Sequence, residues 1–150
     1  MYFDKNGPRR TEVFIVCGSP ASGKTTYVKE NIEPGDMVVD IDYIMQAISF
    51  YKKDERTDNL LGIVLKIRDF IYQEIRSNRI LTKRIWVIAC LPKEVDRQNL
   101  SQRLRATVID IDTPQEECIA RALKDNERFD KQHQIEMIEN YFNERNNLYL

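Results

Sequence analysis

The residues best suited to chemistry lie together near the start of the chain, in a glycine-rich segment that ends in lysine and threonine. The segment fits the pattern G-x-x-x-x-G-K-[ST] and reads Gly18-Ser19-Pro20-Ala21-Ser22-Gly23-Lys24-Thr25, followed by Thr26. In such a loop, backbone N–H groups bind phosphate oxygens, the lysine neutralises the β- and γ-phosphates, and the threonine hydroxyl binds Mg²⁺. A plain strand-to-helix turn is the alternative, but it would require neither Lys24 nor Thr25. The pattern therefore predicts a site for the phosphates of a nucleoside triphosphate, MgATP.

Of two neighbouring acids, Asp40 lies near the end of the next apolar run, over residues 37–41, and Asp42 directly follows that run. Because side chains alternate along a strand, we expect both carboxylates on one side, at the rim where the loop lies. Asp42 could accept the proton of a substrate hydroxyl that attacks the γ-phosphoryl group, and Asp40 could orient a metal-bound water. The alternative is that Asp42 only caps a helix beginning at Tyr43. The two roles do not exclude each other.

The elements that must position these residues alternate between strand and helix. Short apolar runs predict four strands, over residues 12–17, 37–41, 85–91 and 107–111. Apolar spacing and capping signals predict helices over residues 24–31, 43–51, 60–75 and 93–105, then from a Thr113 cap with Pro114 in the first helical position, and from an Asp130 cap. This order predicts an α/β protein whose parallel sheet is covered on both faces, with its ligand beyond the carboxyl ends of the strands.

Length and charge restrict the class of protein. The 150 residues predict one domain over 1–150, with 1–10 as a loose N-terminal segment. With 23 Lys and Arg against 24 Asp and Glu, the net charge of −1 excludes a globally basic nucleic-acid binder. We expect no membrane span, since no apolar run approaches about 18 residues, and a cytoplasmic location, since the start has no signal layout and the cysteines are scattered and odd in number. The three scattered cysteines, Cys17, Cys90 and Cys118, indicate neither a disulfide framework nor a metal cluster.

The loop, with Asp42 and the Gln46-Ala47-Ile48 that follows it, resembles the kinase module of polynucleotide 5′-hydroxyl kinases. The Asp-x-Asp after the second strand is similar to that of shikimate-type and other small P-loop kinases. The resemblance implies the P-loop NTPase fold, a three-layer α/β/α domain with a mostly parallel sheet and a helical lid that donates arginines to the transferring phosphate. Arg121 and Arg128 lie where the resemblance puts that lid, and a solvated helix face is the alternative for both.

Two positions depart from that pattern. Met45 stands where the polynucleotide-kinase module has a basic residue, and the third strand ends in Ala89-Cys90-Leu91 without an acid. Magnesium would then depend on Thr25 and Asp40, with Asp110 as a substitute candidate. The acceptor stays open between a polynucleotide 5′ end and a nucleoside, nucleotide or other small hydroxyl compound.

The leading interpretation is a phosphotransferase that moves the γ-phosphoryl group of ATP to a hydroxyl. Asp42 would be the base, and Lys24 and an arginine would stabilise charge. An ATPase and a nucleotide-binding accessory protein are the alternatives, and the oligomeric state is open. Arg97, Arg103 and Arg105 form a basic stretch that could follow a nucleic-acid backbone, although an ordinary exposed helix is the simpler interpretation.

Overall fold

The computed structural model of the chain describes residues 3–4, 7–8, 11–51, 58–126 and 130–147. Near the start, β1 (Phe3–Asp4) pairs antiparallel with β2 (Gly7–Pro8). The rest of the expected loose segment over 1–10 lies outside the described residues, and so does Arg128.

Four strands form the central sheet: β3 (Glu12–Cys17), β4 (Met37–Val39), β5 (Arg84–Ala89) and β6 (Thr107–Asp110). Their order is β4-β5-β3-β6, and every pairing is parallel. The strand that enters the phosphate loop is therefore an interior strand. Its last residue, Cys17, lies opposite Ala89 on one side and Asp110 on the other, so three carboxyl ends meet at one edge.

Six helices occur in the described part of the chain. They are α1 (Lys24–Asn31), α2 (Ile41–Ser49), α3 (Asp58–Arg76), α4 (Glu94–Leu104), α5 (Gln115–Lys124) and α6 (Lys131–Asn146). None of these helices combines the length and the apolar character that a membrane span would need. The predicted α/β class is confirmed.

Apart from polar residues at their ends, the strands are apolar because both faces of the sheet are covered. One face, which carries Ile15, packs with side chains of α3 and α4, and the other, which carries Val16, packs with Val28 of α1. Ile15 and Val16 are neighbours that point to opposite faces, yet both are fully buried. Burying one such side chain stabilises the fold by about 1.5–3 kcal/mol. The three-layer arrangement fixes β3 and, with it, the start of the phosphate loop.

The junction after β4 differs from the sequence-based expectation. The strand ends at Val39, Asp40 keeps an extended backbone, and α2 begins at Ile41. The Asp42 N–H donates to Asp40 Oδ1 at 2.9 Å. The predictions that both acids lie on one strand and that Asp42 caps a helix from Tyr43 are therefore wrong. The cap is Asp40, and a cap of this kind stabilises a helix by about 1 kcal/mol, which favours the earlier start.

The start of α5 also differs from the expectation. The helix begins at Gln115 after Pro114, and no side chain caps it. Thr113 Oγ1 donates instead to the carbonyl of Ser22 at 2.8 Å, across the carboxyl edge of the sheet. The predicted Asp130 cap is confirmed, since its Oδ1 accepts the N–H of His133 at 3.0 Å.

Candidate active site

Two glycines allow the phosphate loop to fold as it does. Gly18 has φ +155° and Gly23 has φ +101°, values that side chains with a Cβ rarely adopt. A Cβ on Gly18 would lie 2.8 Å from the Ile111 carbonyl oxygen and 2.8 Å from Ser22 Oγ. Gly23 immediately precedes α1, so the positive end of that helix points into the loop. The backbone therefore leaves a cradle that a larger residue at Gly18 would fill.

Lys24 and Ser22 supply the polar groups inside the cradle. The Lys24 ammonium donates to the carbonyls of Gly18 at 3.0 Å and Ser19 at 2.6 Å. Ser22 Oγ is buried and has no hydrogen-bond partner within the described residues. An orphaned buried hydroxyl costs about 1–3 kcal/mol, which a phosphate oxygen would offset by accepting its hydrogen bond. The cradle, the ammonium and the orphaned donor together fit a phosphate group.

The helices α5 and α6 pack together above the loop, where the lid was predicted. Ala21 of the loop contacts their shared apolar cluster, which includes Cys118 and Ile138. Arg121 of α5 reaches the loop directly: Nη1 donates to the Ser22 carbonyl at 2.9 Å, and Nη2 pairs with Glu117 at 2.6 Å. The arginine thus lies at the phosphate loop and is not part of a merely solvated helix face.

The two acids lie at the same edge of the sheet as the loop but on another strand end. Since β5 separates β4 from β3, and strands are about 4.8 Å apart, the lateral offset is roughly 10 Å. Asp40 is 6% exposed and is held as the α2 cap, whereas Asp42 lies in the first turn of α2 with a partly exposed side chain. Asp42 is therefore the better placed of the two to contact an acceptor above the sheet.

The remaining predicted loop residues lie where the pattern requires them. Ser19 is buried, Thr25 is partly buried in the first turn of α1, and Thr26 is exposed.

Among the described residues no group of three or more His, Cys, Asp or Glu side chains could form a protein metal cage. Mg²⁺ needs no such cage, because it commonly keeps several waters and binds one or two protein oxygens plus substrate phosphates. Thr25 and Asp40 stay the predicted donors of such a limited set.

An ion-pair network lies beside the loop and links three elements. Arg97 of α4 is 4% exposed; it pairs with Asp110 at 3.0 Å and donates to the Leu91 carbonyl and the Tyr141 hydroxyl. Arg145 of α6 pairs with the same carboxylate at 2.9 Å. The interpretation of Arg97 as exposed is therefore wrong, because distant partners draw it into the interior. Asp110 pairs with two arginines, which makes it less suited to replace the acid that is missing at the end of β5.

The pKa shifts follow from this packing. Burial would raise the pKa of Asp110, but hydrogen bonds from Arg145 and Arg97 outweigh it and hold the pKa below the ordinary value. Burial raises the pKa of Cys17, just before the loop, to about 11. The Cys17 thiol therefore stays neutral near pH 7 and acts as a core side chain.

We expect Asp110→Asn to destabilise the protein by about 3 kcal/mol, because it leaves the buried Arg97 charge without its carboxylate. This is the low end of the usual range, since Asp110 keeps 31% exposure. The lowered pKa means that the pair stabilises the fold fully above about pH 4 and loses its effect as pH falls through the folded-state pKa. Urea unfolding between pH 2 and about pH 7 measures both effects.

The matched control is Asp112→Asn, two residues further along. Asp112 lies 3.7 Å from Arg145 but is 80% exposed, so the change should cost less than about 0.5 kcal/mol. Equal stability losses in the two variants would contradict the conclusion that the Arg97–Asp110 pair stabilises the fold.

Three solved structures share the arrangement of sheet, loop and helices. A chain of the Pnkp1/Rnl/Hen1 RNA repair complex superposes with a TM-score of 0.69 at 18% identity, over 96% of this chain and 47% of that one. The chain has the fold of the P-loop kinases. Shikimate kinase from Acinetobacter baumannii in complex with shikimate gives 0.61 at 16% identity, over 94% and 79%. TT1252 from Thermus thermophilus gives 0.58 at 14%, over 91% and 83%.

The similarity to these proteins lies in the structure and not in the sequence. The chain spans about half the length of the RNA repair protein that it matches. At the level of sequence, no family model and no curated protein matches the chain. The similarities are therefore structural, and they establish the P-loop kinase fold.

The structure brings together most of the residues that the sequence singled out. The loop, Lys24 and Arg121 are in direct contact, and Asp40 and Asp42 lie two strand positions away at the same edge. Sequence reasoning missed Thr113 as a loop contact and Arg145 as a partner of Asp110. A threonine just past a strand at the carboxyl edge could have indicated the first, but nothing local indicates the second.

Proposed function

We propose that this protein is an ATP-dependent phosphotransferase that moves the γ-phosphoryl group to a hydroxyl acceptor. The observation that carries the proposal is the position of Asp42, partly exposed at the carboxyl edge of the sheet and roughly 10 Å to the side of a phosphate loop. Phosphate binding alone is common to kinases, ATPases and switches. An acid set across the edge from the loop is what a kinase needs in order to activate a second substrate.

Each residue has a defined part in this reaction. The loop amides, Ser22 Oγ and the Lys24 ammonium bind the phosphates, so Lys24 exchanges its two carbonyl partners for phosphate oxygens. Arg121 stabilises the negative charge that spreads over the γ-phosphoryl oxygens in the transition state. Asp42 accepts the proton of the acceptor hydroxyl as its oxygen attacks the phosphorus and the bond to the β-phosphate oxygen breaks.

Magnesium fits the donor set described above. When bound, Mg²⁺ supplies charge neutralisation between the β- and γ-phosphates. The Thr25 hydroxyl would bind it directly, and the capped Asp40 carboxylate would act through a metal-bound water. Asp40 also fixes the start of α2 and with it the position of Asp42.

Two classes of acceptor fit the proposed reaction. The solved neighbours include a chain of an RNA repair complex and a shikimate kinase in complex with shikimate, so both a polynucleotide end and a small hydroxyl compound are supported. Met45, at the position where the resembling polynucleotide kinases have a basic residue, is 3% exposed within α2. A polynucleotide acceptor would therefore need another cation to hold its phosphates.

The proposal is tested with γ-labelled ATP, Mg²⁺ and a panel of 5′-hydroxyl oligonucleotides, nucleosides, nucleotides and small hydroxyl acids. We expect label to appear in at least one acceptor, at a rate that depends on acceptor concentration. Phosphate release at the same rate with and without every acceptor would overturn the proposal in favour of an ATPase. Tight ATP binding without turnover would overturn it in favour of a nucleotide-binding accessory role.

A further inference from the structure

A separate cavity lies between α3 and α4, outside the phosphate loop. Its volume is about 330 Å³, and its lining includes Arg68 and Tyr72 of α3 and Asn99 and Arg103 of α4. This volume is at the lower end of the range for small-molecule sites and suits a ligand the size of one nucleotide or sugar phosphate.

The cavity adjoins the candidate active site. Ala89 and Leu91 line it, and the carbonyl of Cys90 between them accepts the N–H of Gly18, the first loop residue. Asp40 and Asp42 follow β4, which pairs with β5, so the two acids lie at the same edge of the sheet as this wall of the cavity. A ligand in the cavity would therefore lie beside the acids and the loop.

Two arginines from different helices converge on one aromatic ring at the cavity wall. The guanidinium carbons of Arg68 and Arg103 lie 5.5 Å and 5.8 Å from the centre of the Tyr72 ring. Arg68 uses Nε and Nη2 on Asp69. Within the described ranges, Arg68 Nη1 and the Arg103 guanidinium donate no hydrogen bond, and Arg103 has no carboxylate within 4 Å. Arg68 and Arg103 therefore bring to this wall of the cavity N–H donors that can bind an anionic group.

The polar groups beside the arginines indicate what else the ligand carries. Asp96 and Asn99, from the first half of α4, line the same cavity. A carboxylate and an amide can accept hydrogen bonds from hydroxyl groups, which a bare phosphate ion does not have. The lining therefore suits a hydroxylated compound with one anionic group.

We propose that this cavity is the acceptor pocket, and that Arg68 and Arg103 bind a phosphate which the hydroxyl acceptor already carries. This assignment rests on the proposed function, because an acceptor is needed only if the protein is a phosphotransferase. The planar fork of arginine suits phosphate better than an ammonium does, since it donates two parallel hydrogen bonds. The phosphate belongs either to a free nucleotide or sugar phosphate or to the end of a polynucleotide.

The test compares ligands that differ only in a phosphate. Calorimetry measures the binding of adenosine against adenosine 3′-monophosphate, and of glucose against glucose 6-phosphate, with the loop filled by a non-hydrolysable ATP analogue. We expect the wild-type protein to prefer the phosphorylated member of at least one pair. Arg103→Met and Arg68→Met should each weaken the binding of the phosphorylated ligand by roughly 10- to 100-fold. The binding of the ligand without phosphate should not change. Arg103→Lys should bind the phosphorylated ligand more tightly than Arg103→Met does.

Arg76→Met is the matched control, because Arg76 is exposed at the far end of α3 and does not line this cavity. A 5′-hydroxyl trinucleotide that binds more tightly than the mononucleotide assigns the phosphate to a polynucleotide, and equal binding assigns it to a free metabolite. No preference for phosphate in either pair, or equal losses for both members, would overturn the pocket assignment. Phosphate-dependent binding without any transfer of label would support the pocket and overturn the phosphotransferase.

Discussion

Lys24→Met is expected to reduce kcat/KM for phosphoryl transfer by on the order of 10³-fold, about 4 kcal/mol of transition-state stabilisation. The Lys24 ammonium lies 2.6–3.0 Å from two loop carbonyls, so it is already inside the cradle that would hold the phosphates. Removing it leaves the charge of the β- and γ-phosphates without its main protein cation. Initial rates with saturating acceptor and varied ATP measure the loss.

The control for this variant is Lys29→Met, in the last turn of the same helix. Lys29 is exposed, and methionine and lysine have similar helix propensities, so activity should stay within about twofold. If a folded Lys24→Met protein retains more than a tenth of the wild-type rate, the phosphate loop does not take part in catalysis as proposed.

Arg121→Met is expected to reduce kcat by roughly 10³-fold while changing the Kd for ATP only a few-fold. An arginine that acts on the transferring group is worth about 10³–10⁵ in kcat, and Arg121 Nη1 already lies 2.9 Å from the Ser22 carbonyl. The ion pair with Glu117 is about half exposed, so its loss should scarcely affect folding. Single-turnover rates and ATP binding, measured on the same preparation, separate the two effects.

Lys124→Met provides the comparison, since Lys124 is an exposed cation one turn further along α5. We expect it to leave kcat unchanged. A smaller than threefold loss in Arg121→Met, or an equal loss in both variants, would mean that Arg121 only holds α5 against the loop. Because Arg128 lies outside the described residues, its predicted role stays a prediction that the corresponding Arg128→Met variant can address.

The parts of the fold that were predictable depend on local sequence. Residues 12–31 form a buried strand, a loop with glycines at two fixed positions and a helix. Each of these features depends on residues within that short stretch. The second strand was harder, because Asp40 can either extend a strand or cap a helix. In the structure Asp40 caps α2, and Asp42 therefore lies in the first turn of that helix.

Other features of the site depend on partners that are remote in the sequence. Arg97 is buried because it donates to the Tyr141 hydroxyl, 44 positions away, and pairs with Asp110. The convergence of Arg68 and Arg103 on Tyr72 likewise depends on how α3 packs beside α4. Periodicity predicts that such helices exist, but it carries no information on which polar side chains meet between them.

In the proposed reaction, Asp42 activates a hydroxyl acceptor for transfer of the γ-phosphoryl group. The most direct measurement is the partition of γ-label between acceptor and free phosphate, for the wild-type protein, Asp42→Asn and the control Asp58→Asn, which changes an exposed acid in the first turn of α3. We expect acceptor labelling to fall by about 10²- to 10⁴-fold in Asp42→Asn alone, with ATP binding retained. Acceptor-independent phosphate release that survives Asp42→Asn at the wild-type rate would contradict it.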